Sequence, residues 1–433
     1  MKGLSRTIVV LVVVLSACEG PKSKVVIASP QKTAYIKDPL TLTKQVYYDK
    51  VLGALVGSAI GDAMGASTEM WHRNDIRLRY GYITDLTPAI REKSPEGTWE
   101  HNLMAGATTD DTRWKLFMAH YFKAYPRELS PGHFASFITQ YYRSVVNALA
   151  KEDILAQPDS LDVRMGKVNW IKEWARVALA YKDGPEAYQE AVNRFYGGEM
   201  SCAGQLYTPM FGLWAQSPGQ AYDLAYGHSL FDLGYAKDIS ALVAVMTHMA
   251  LRTQDMDSVL RTTVFVDPLG YKNSRLVGRI SQNITDTALL NVLQIGKKQI
   301  VPDSLMAKDS LSFRVPPGFL GSDADWIRQE MNYQTLEKDS RATAFHAGEI
   351  WQILVTALQF GQGDFEKTLQ FIVNYGRDND TVAAIAGTIL GALHGYYGLP
   401  TGLRKEILRV NREFLGIDLE TLAQEIVDAH PNY

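Results

Sequence analysis

Two short acidic clusters, far apart in the 433-residue chain, each open a helix-like run. The first is Thr108-Thr109-Asp110-Asp111-Thr112 and the second is Gly376-Arg377-Asp378-Asn379-Asp380-Thr381. Each offers two carboxylates and a threonine hydroxyl within one turn, an all-oxygen set suited to a hard divalent cation such as Mg²⁺. Brought together, four carboxylates would repel one another unless a cation neutralised them. The pattern predicts a metal-dependent enzyme holding two ions, Mg²⁺ with Mn²⁺ as a substitute. Asp and Thr also favour helix N-termini, where they cap free N–H groups and meet the positive end of the macrodipole. Taken singly, either cluster reads as a cap.

Two glycine rows must position these clusters. Gly53, Gly57, Gly61 and Gly65 recur every four residues in one apolar run, and Gly387, Gly391 and Gly395 do so directly after Asp380-Thr381. Glycine costs a helix interior about 1 kcal/mol relative to alanine, so a row of it on one face implies that another backbone comes close. The remaining faces are apolar, which predicts two central helices, and an economical arrangement packs them together. Asp62 lies on the first with no basic residue within a turn. It is a candidate substrate-binding residue, or a structural carboxylate satisfied by a nearby turn. Glu69, just past the helix end, is placed for acid/base work, or is a solvated loop charge.

The rest of the body reads as helical over residues 46–433, with no second linker, repeat or later transmembrane stretch. Residues 262–343 are the least regular, broken by Pro268, Pro302, Pro316 and Pro317, and read as an irregular insertion close to the mouth of the site. Val264-Phe265-Val266 and Ser312-Phe313-Arg314-Val315 are the best short strand candidates. The chain carries 44 basic against 47 acidic residues and no basic stripe, which argues against nucleic-acid binding. The N-terminus has a basic start at Lys2 and Arg6, an apolar run from Thr7 to Leu15, and Leu15-Ser16-Ala17-Cys18, which looks like a bacterial lipobox. Residues 1–17 then read as a signal peptide, Cys18 as the lipidated residue, and residues 18–45 as anchor and tether, giving a monomeric cell-envelope protein held to a membrane through lipid. Cys202, the only other cysteine, reads as a small buried hydrophobe.

The chain resembles the ADP-ribosylglycohydrolase family in three ordered pieces. Gly57-Ser58-Ala59-Ile60-Gly61-Asp62-Ala63-Met64-Gly65 with Glu69 is similar to its GxxxGDAxG and trailing glutamate. Thr109-Asp110-Asp111-Thr112 is similar to its TDDT, and Gly376 through Gly387 to its GGDTDTxAAxAG. The resemblance implies an all-α orthogonal bundle with a binuclear Mg²⁺ centre. Thr109, Asp110 and Asp111 would serve the metals from one side, and Asp378, Asp380 and Thr381 from the other. It further implies cleavage of an N- or O-glycosidic bond of an ADP-ribosyl-like or ribosyl conjugate, with Glu69 and Asp110 in catalysis. Gly204 and His228 are the matching candidates on the substrate side. The segment from Gly198 to Pro209 lacks the asparagine and arginine that the family often carries there, and Arg377 and Asn379 replace a glycine and a threonine. The pattern leaves two alternatives, a non-catalytic binding lipoprotein on the same fold and a metal-dependent phosphoesterase. The second lacks a histidine-rich metal motif and a phosphate-cradling glycine loop.

Changing Cys18→Ser removes the acyl acceptor, so the protein should leave the detergent phase in a phase-partitioning assay. Unchanged partitioning would show that another segment holds the membrane.

Overall fold

The computed structural model describes residues 37–89, 103–151, 161–306 and 309–433. The expected Cys18 anchor and signal peptide fall outside these residues. Among the described residues the chain is helical, with three isolated antiparallel bridges and no strand. In chain order the first helices are α1 (Lys44–Gly65), α2 (Arg73–Tyr80), α3 (Asp110–Ala124), α4 (Pro131–Lys151), α5 (Leu161–Asp183) and α6 (Pro185–Arg194). Next come α7 (Pro209–Trp214), α8 (Pro218–His228), α9 (Ala236–Arg252), α10 (Met256–Phe265), α11 (Ile280–Gly296), α12 (Pro302–Met306) and α13 (Ser310–Phe313). The last are α14 (Asp323–Lys338), α15 (Ala347–Gly361), α16 (Phe365–Tyr375), α17 (Asn379–His394), α18 (Thr401–Val410) and α19 (Leu419–Ala429).

The glycine rows meet as expected. α1 and α17 run antiparallel in backbone contact, and the other helices wrap around this pair. A Cβ added at Gly57 would lie 2.2 Å from the Gly387 carbonyl oxygen, and one at Gly61 would lie 2.0 Å from that of Ala383. Every residue of α1 from Val51 to Gly65 is buried, as is every residue of α17 from Asn379 to Leu393. Such all-round burial accounts for helices that are apolar on every face.

Both strand expectations fail. The strand candidate at Val264–Val266 lies at the end of α10, which Asp255 starts by accepting from the N–H groups of Asp257 and Ser258. The β-branched run is tolerated because Thr262 and Thr263 turn their hydroxyls back onto the carbonyls of Ser258 and Leu260, each at 2.7 Å. The second candidate begins in the short helix α13, capped by Asp309, which accepts from Ser312 N–H. Residues 262–343 are also more regular than expected, since they contain α11 and α14. Ser322 and Asp325 form a capping box at the start of α14, and the Arg279–Asp238 ion pair, fully buried at 2.6 Å, ties the start of α11 to the core helix α9. The prolines that suggested irregularity sit in the connections or at the first position of a helix.

Gly57→Ala tests the packing by sign. Helix propensity alone favours alanine by about 1 kcal/mol, but the added methyl meets backbone that cannot yield, and such overpacking costs about 1–3 kcal/mol. The urea midpoint should fall. Gly132→Ala, where nothing lies within 4 Å, should cause no loss.

Candidate metal centre and active site

Asp62 ends up near the last turn of α1, facing the N-terminus of α3. Its carboxylate accepts from Thr109 N–H at 3.0 Å, Thr112 N–H at 3.0 Å and the Thr112 hydroxyl at 2.6 Å. Asp62 therefore caps α3 from another helix. This corrects its assignment as a substrate-binding residue, because it is fully buried, committed to these bonds and absent from the cavity wall. The consequence falls on Thr109. It occupies the N-cap position but makes no capping bond. Its hydroxyl lies beside Asp62 and helps steady the charge there, yet no hydrogen bond of good geometry engages it. Asp378, at the N-cap of α17, likewise makes no capping bond with its side chain. The simple capping account of the two clusters thus fails at both N-caps.

The loop after α1 holds Glu69 against the second cluster. Met70 N–H donates to the Arg377 carbonyl at 2.6 Å and Arg377 N–H to the Trp71 carbonyl at 2.9 Å, with His72 bridged to Gly376. Met70 and Arg377 both sit in the left-handed region, at φ 63° and 64°, a conformation that costs a non-glycine residue about 1–2 kcal/mol. Gly376, at φ 84°, must be glycine, because a Cβ would stand 2.2 Å from the Trp71 carbonyl oxygen. The paired turns bring one carboxylate oxygen each of Glu69, Asp378 and Asp380 within 4.8 Å of one another. The first cluster joins them through the Thr381 hydroxyl, which donates to Asp111 at 3.1 Å.

These carboxylates are nearly out of water: Asp111 is 1% exposed, Asp380 2%, Asp378 4% and Glu69 8%. Burial pushes the Asp111 carboxyl well above the usual range. Lys115 opposes that rise from 3.5 Å, and Asp62, Asp110 and Asp378 add to it. Asp380 is also raised well above its usual value, by burial first and then by Glu69, Asp378, Asp111 and Asp62. The donor set is all oxygen and carries more negative charge than Lys115 offsets. Together with the unengaged Thr109 hydroxyl, it fits a hard divalent cation.

A cavity of about 550 Å³ opens over the cluster. Glu69, Asp110, Asp111, Asp378, Asp380 and Thr381 line its acidic end, so these expected site residues are brought together. Trp170, Trp174, Tyr196 and Phe345 form aromatic walls, Arg113 lies over the Trp170 ring at 5.7 Å, and Ser201 and Cys202 complete the side. Cys202 is buried as expected, but its thiol also donates to Asp378 at 3.7 Å. The sequence reading missed the aromatic walls. Trp170 and Trp174, one helical turn apart, were the available signal, although such a pair usually marks core packing. Two further expectations are corrected. Gly204 does not line the cavity: its N–H donates to Asp232 at 2.7 Å, and the Asp232 carboxylate fills the space where a side chain would go. His228 is a core residue, bonded to the Tyr121 hydroxyl at 3.1 Å and the Leu224 carbonyl at 2.7 Å, with burial lowering its pKa to about 4. No residue of 262–343 lines the cavity among the described residues, so that segment does not form the mouth.

The family model for ADP-ribosylglycohydrolase matches residues 43–432. The uncharacterized protein YegU of Escherichia coli is 20% identical over 368 residues, spanning 84% of this chain and 93% of YegU. The ADP-ribosyl-[dinitrogen reductase] glycohydrolase of Rhodospirillum rubrum is 36% identical over 75 residues, 17% of this chain and 22% of that protein. A solved structure titled ADP-ribosylglycohydrolase-related protein complex superposes with a TM-score of 0.52 at 18% identity, covering 89% of this chain and 99% of that one. It shares the all-α fold.

The raised carboxyls set a pH dependence for the metal-free protein. Folded Asp111 and Asp380 retain protons that the unfolded chain releases near 3.8. The stability this contributes is fully present below that pH and is lost as pH rises through the folded values. In EDTA, the melting temperature should therefore be higher at about pH 5 than at about pH 7.5. Asp380→Asn should flatten the profile. A wild-type profile no steeper than the variant's would contradict this account.

Proposed function

The chain belongs to the ADP-ribosylglycohydrolase family, and from that premise we propose that it is a divalent-metal-dependent glycoside hydrolase acting on an ADP-ribosyl-like or ribosyl N- or O-glycoside. The observation that carries the reading is the convergence of buried carboxylates. Glu69, Asp378 and Asp380 bring one oxygen each within 4.8 Å of one another, beside Asp111 at the end of one cavity. In this proposal Thr109, Asp110, Asp111, Asp378, Asp380 and Thr381 hold Mg²⁺ or Mn²⁺. Bound there, the cations supply Lewis-acid chemistry toward sugar oxygens and water.

The chain's own residues account for the rest. Asp62 keeps the Thr109–Asp111 turn in place through three donors, so the first cluster is fixed before any ligand arrives. The Thr381 hydroxyl fixes one oxygen of Asp111 and Lys115 approaches the other. Glu69, buried at the cavity end, exchanges a proton with the leaving group or the attacking water, the usual work of a carboxyl beside an oxocarbenium-like transition state. The aromatic walls exclude water and take the flat part of the conjugate. Anchored through Cys18, such an enzyme would meet extracytoplasmic glycosides.

A panel of ribosyl and other sugar conjugates, assayed with Mg²⁺ and with EDTA, tests the reading. Turnover should need the metal and return when it is restored. If every conjugate is inert but one raises the melting temperature only with Mg²⁺, the protein is a binding protein on this fold. Glu69→Gln should lower kcat by about 10²–10⁴-fold while Mn²⁺ affinity stays near wild type. A large loss of affinity instead would make Glu69 a metal ligand.

A further inference from the structure

Asp378 is delivered to the site by two successive left-handed residues, Gly376 at φ 84° and Arg377 at φ 64°. Glycine takes such a conformation freely, whereas arginine must be held in it. The backbone bonds to Met70 and Trp71 hold one side. On the other side the guanidinium reaches Glu349 at the start of α15, with Nε on one carboxylate oxygen at 2.6 Å and Nη2 on the other at 3.1 Å. Nη2 also donates to the Arg341 carbonyl at 2.6 Å, and Arg341 N–H donates back to Glu349 at 2.5 Å. Glu349 is only 4% exposed, so this fork is anchored in the body of the fold. A two-pronged pair of this kind fixes direction as well as distance.

We infer that the Arg377–Glu349 fork is a positioning device for the metal centre, holding the Gly376–Arg377 turn in the conformation that directs the Asp378 carboxylate at the cation. The inference rests on the metal reading above. An ordinary surface ion pair would contribute little and would leave cation affinity alone. A positioning role makes affinity depend on the turn, and it makes a sharp distinction between two truncations. Arg377→Ala removes the fork but keeps the Cβ that disfavours φ 64°. Arg377→Gly removes the fork and the disfavour together.

The experiment is Mn²⁺ titration of the metal-free full chain, read by isothermal calorimetry and by paramagnetic resonance of free Mn²⁺, with far-UV circular dichroism to confirm folding. Groups that orient metal ligands typically contribute 10–100-fold in affinity. Arg377→Ala and Glu349→Gln should therefore weaken Mn²⁺ binding by about tenfold or more, and Arg377→Gly should recover most of that loss. Alanine and glycine variants with equal affinity would overturn the positioning role, whether both match wild type or both are weakened alike. Wild type that binds no Mn²⁺, or binds it as well after Asp380→Asn, would overturn the metal reading itself and the inference with it. If one truncation fails to fold, Glu349→Gln still decides, because a folded variant with wild-type affinity refutes the device.

Discussion

The close approach of α1 and α17 is the constraint on which the site depends. Two helices ordinarily stand 8–10 Å apart, at a distance set by their side chains. Here one helix presents only glycine along the contact, and the backbones come into direct contact from Gly53 against Gly391 to Gly65 against Asp380. The contact is antiparallel, so the C-terminal end of one helix is pinned to the N-terminal end of the other. Glu69 leaves α1 one turn beyond Gly65 and therefore emerges beside Asp380. The spacing of the glycines sets the spacing of the carboxylates, and a single methyl along that seam would disturb both.

Packing alone would make the cluster intolerable, because Asp62, Asp111, Asp378 and Asp380 are withdrawn from water with Lys115 as the contacting cation. Two features moderate the repulsion. The N-termini of α3 and α17 both point into the cluster, and each presents partial positive charge. Asp62 also takes the free N–H groups of α3 onto itself, so the end of that helix is satisfied without using Thr109. What remains is a set of carboxylate oxygens gathered out of water. Strain of this kind commonly coincides with function.

Much of this could be read from the sequence, for reasons that differ residue by residue. The glycine rows were legible because their cost in an isolated helix is large and regular, which leaves close packing as the economical explanation. The two acidic clusters were legible as a set because each repeats the same donor chemistry. The role of Asp62 was not, since a cap supplied by a different helix leaves no local pattern. Gly204 and His228 sit in segments similar to functional ones, but their roles are fixed by Asp232 and Tyr121, partners that only the tertiary fold brings near. The strand readings at Val264 and Ser312 failed because β-branching is a weak preference, easily outweighed by a good N-cap such as Asp255 or Asp309.

The two departures flanking the second cluster now have physical meanings. Asn379 is fully buried, and its amide nitrogen donates to the Thr68 hydroxyl at 2.8 Å and the Val373 carbonyl at 3.0 Å. It fastens the start of α17 to the turn that carries Glu69 and to the end of α16. Arg377 fastens the preceding residue to α15 through Glu349. Both residues act on the backbone that aims Asp378 and Asp380. A chain can therefore change the residues between its carboxylates while keeping the carboxylates where they are, provided each new side chain finds a partner in the surrounding helices. The altered segment from Gly198 to Pro209 obeys a different constraint. Through Ser201 and Cys202 it lines the cavity beside Phe345 and contributes no carboxylate there, but the Cys202 thiol also donates to Asp378, so this segment bears on the cavity wall and on the acidic cluster together.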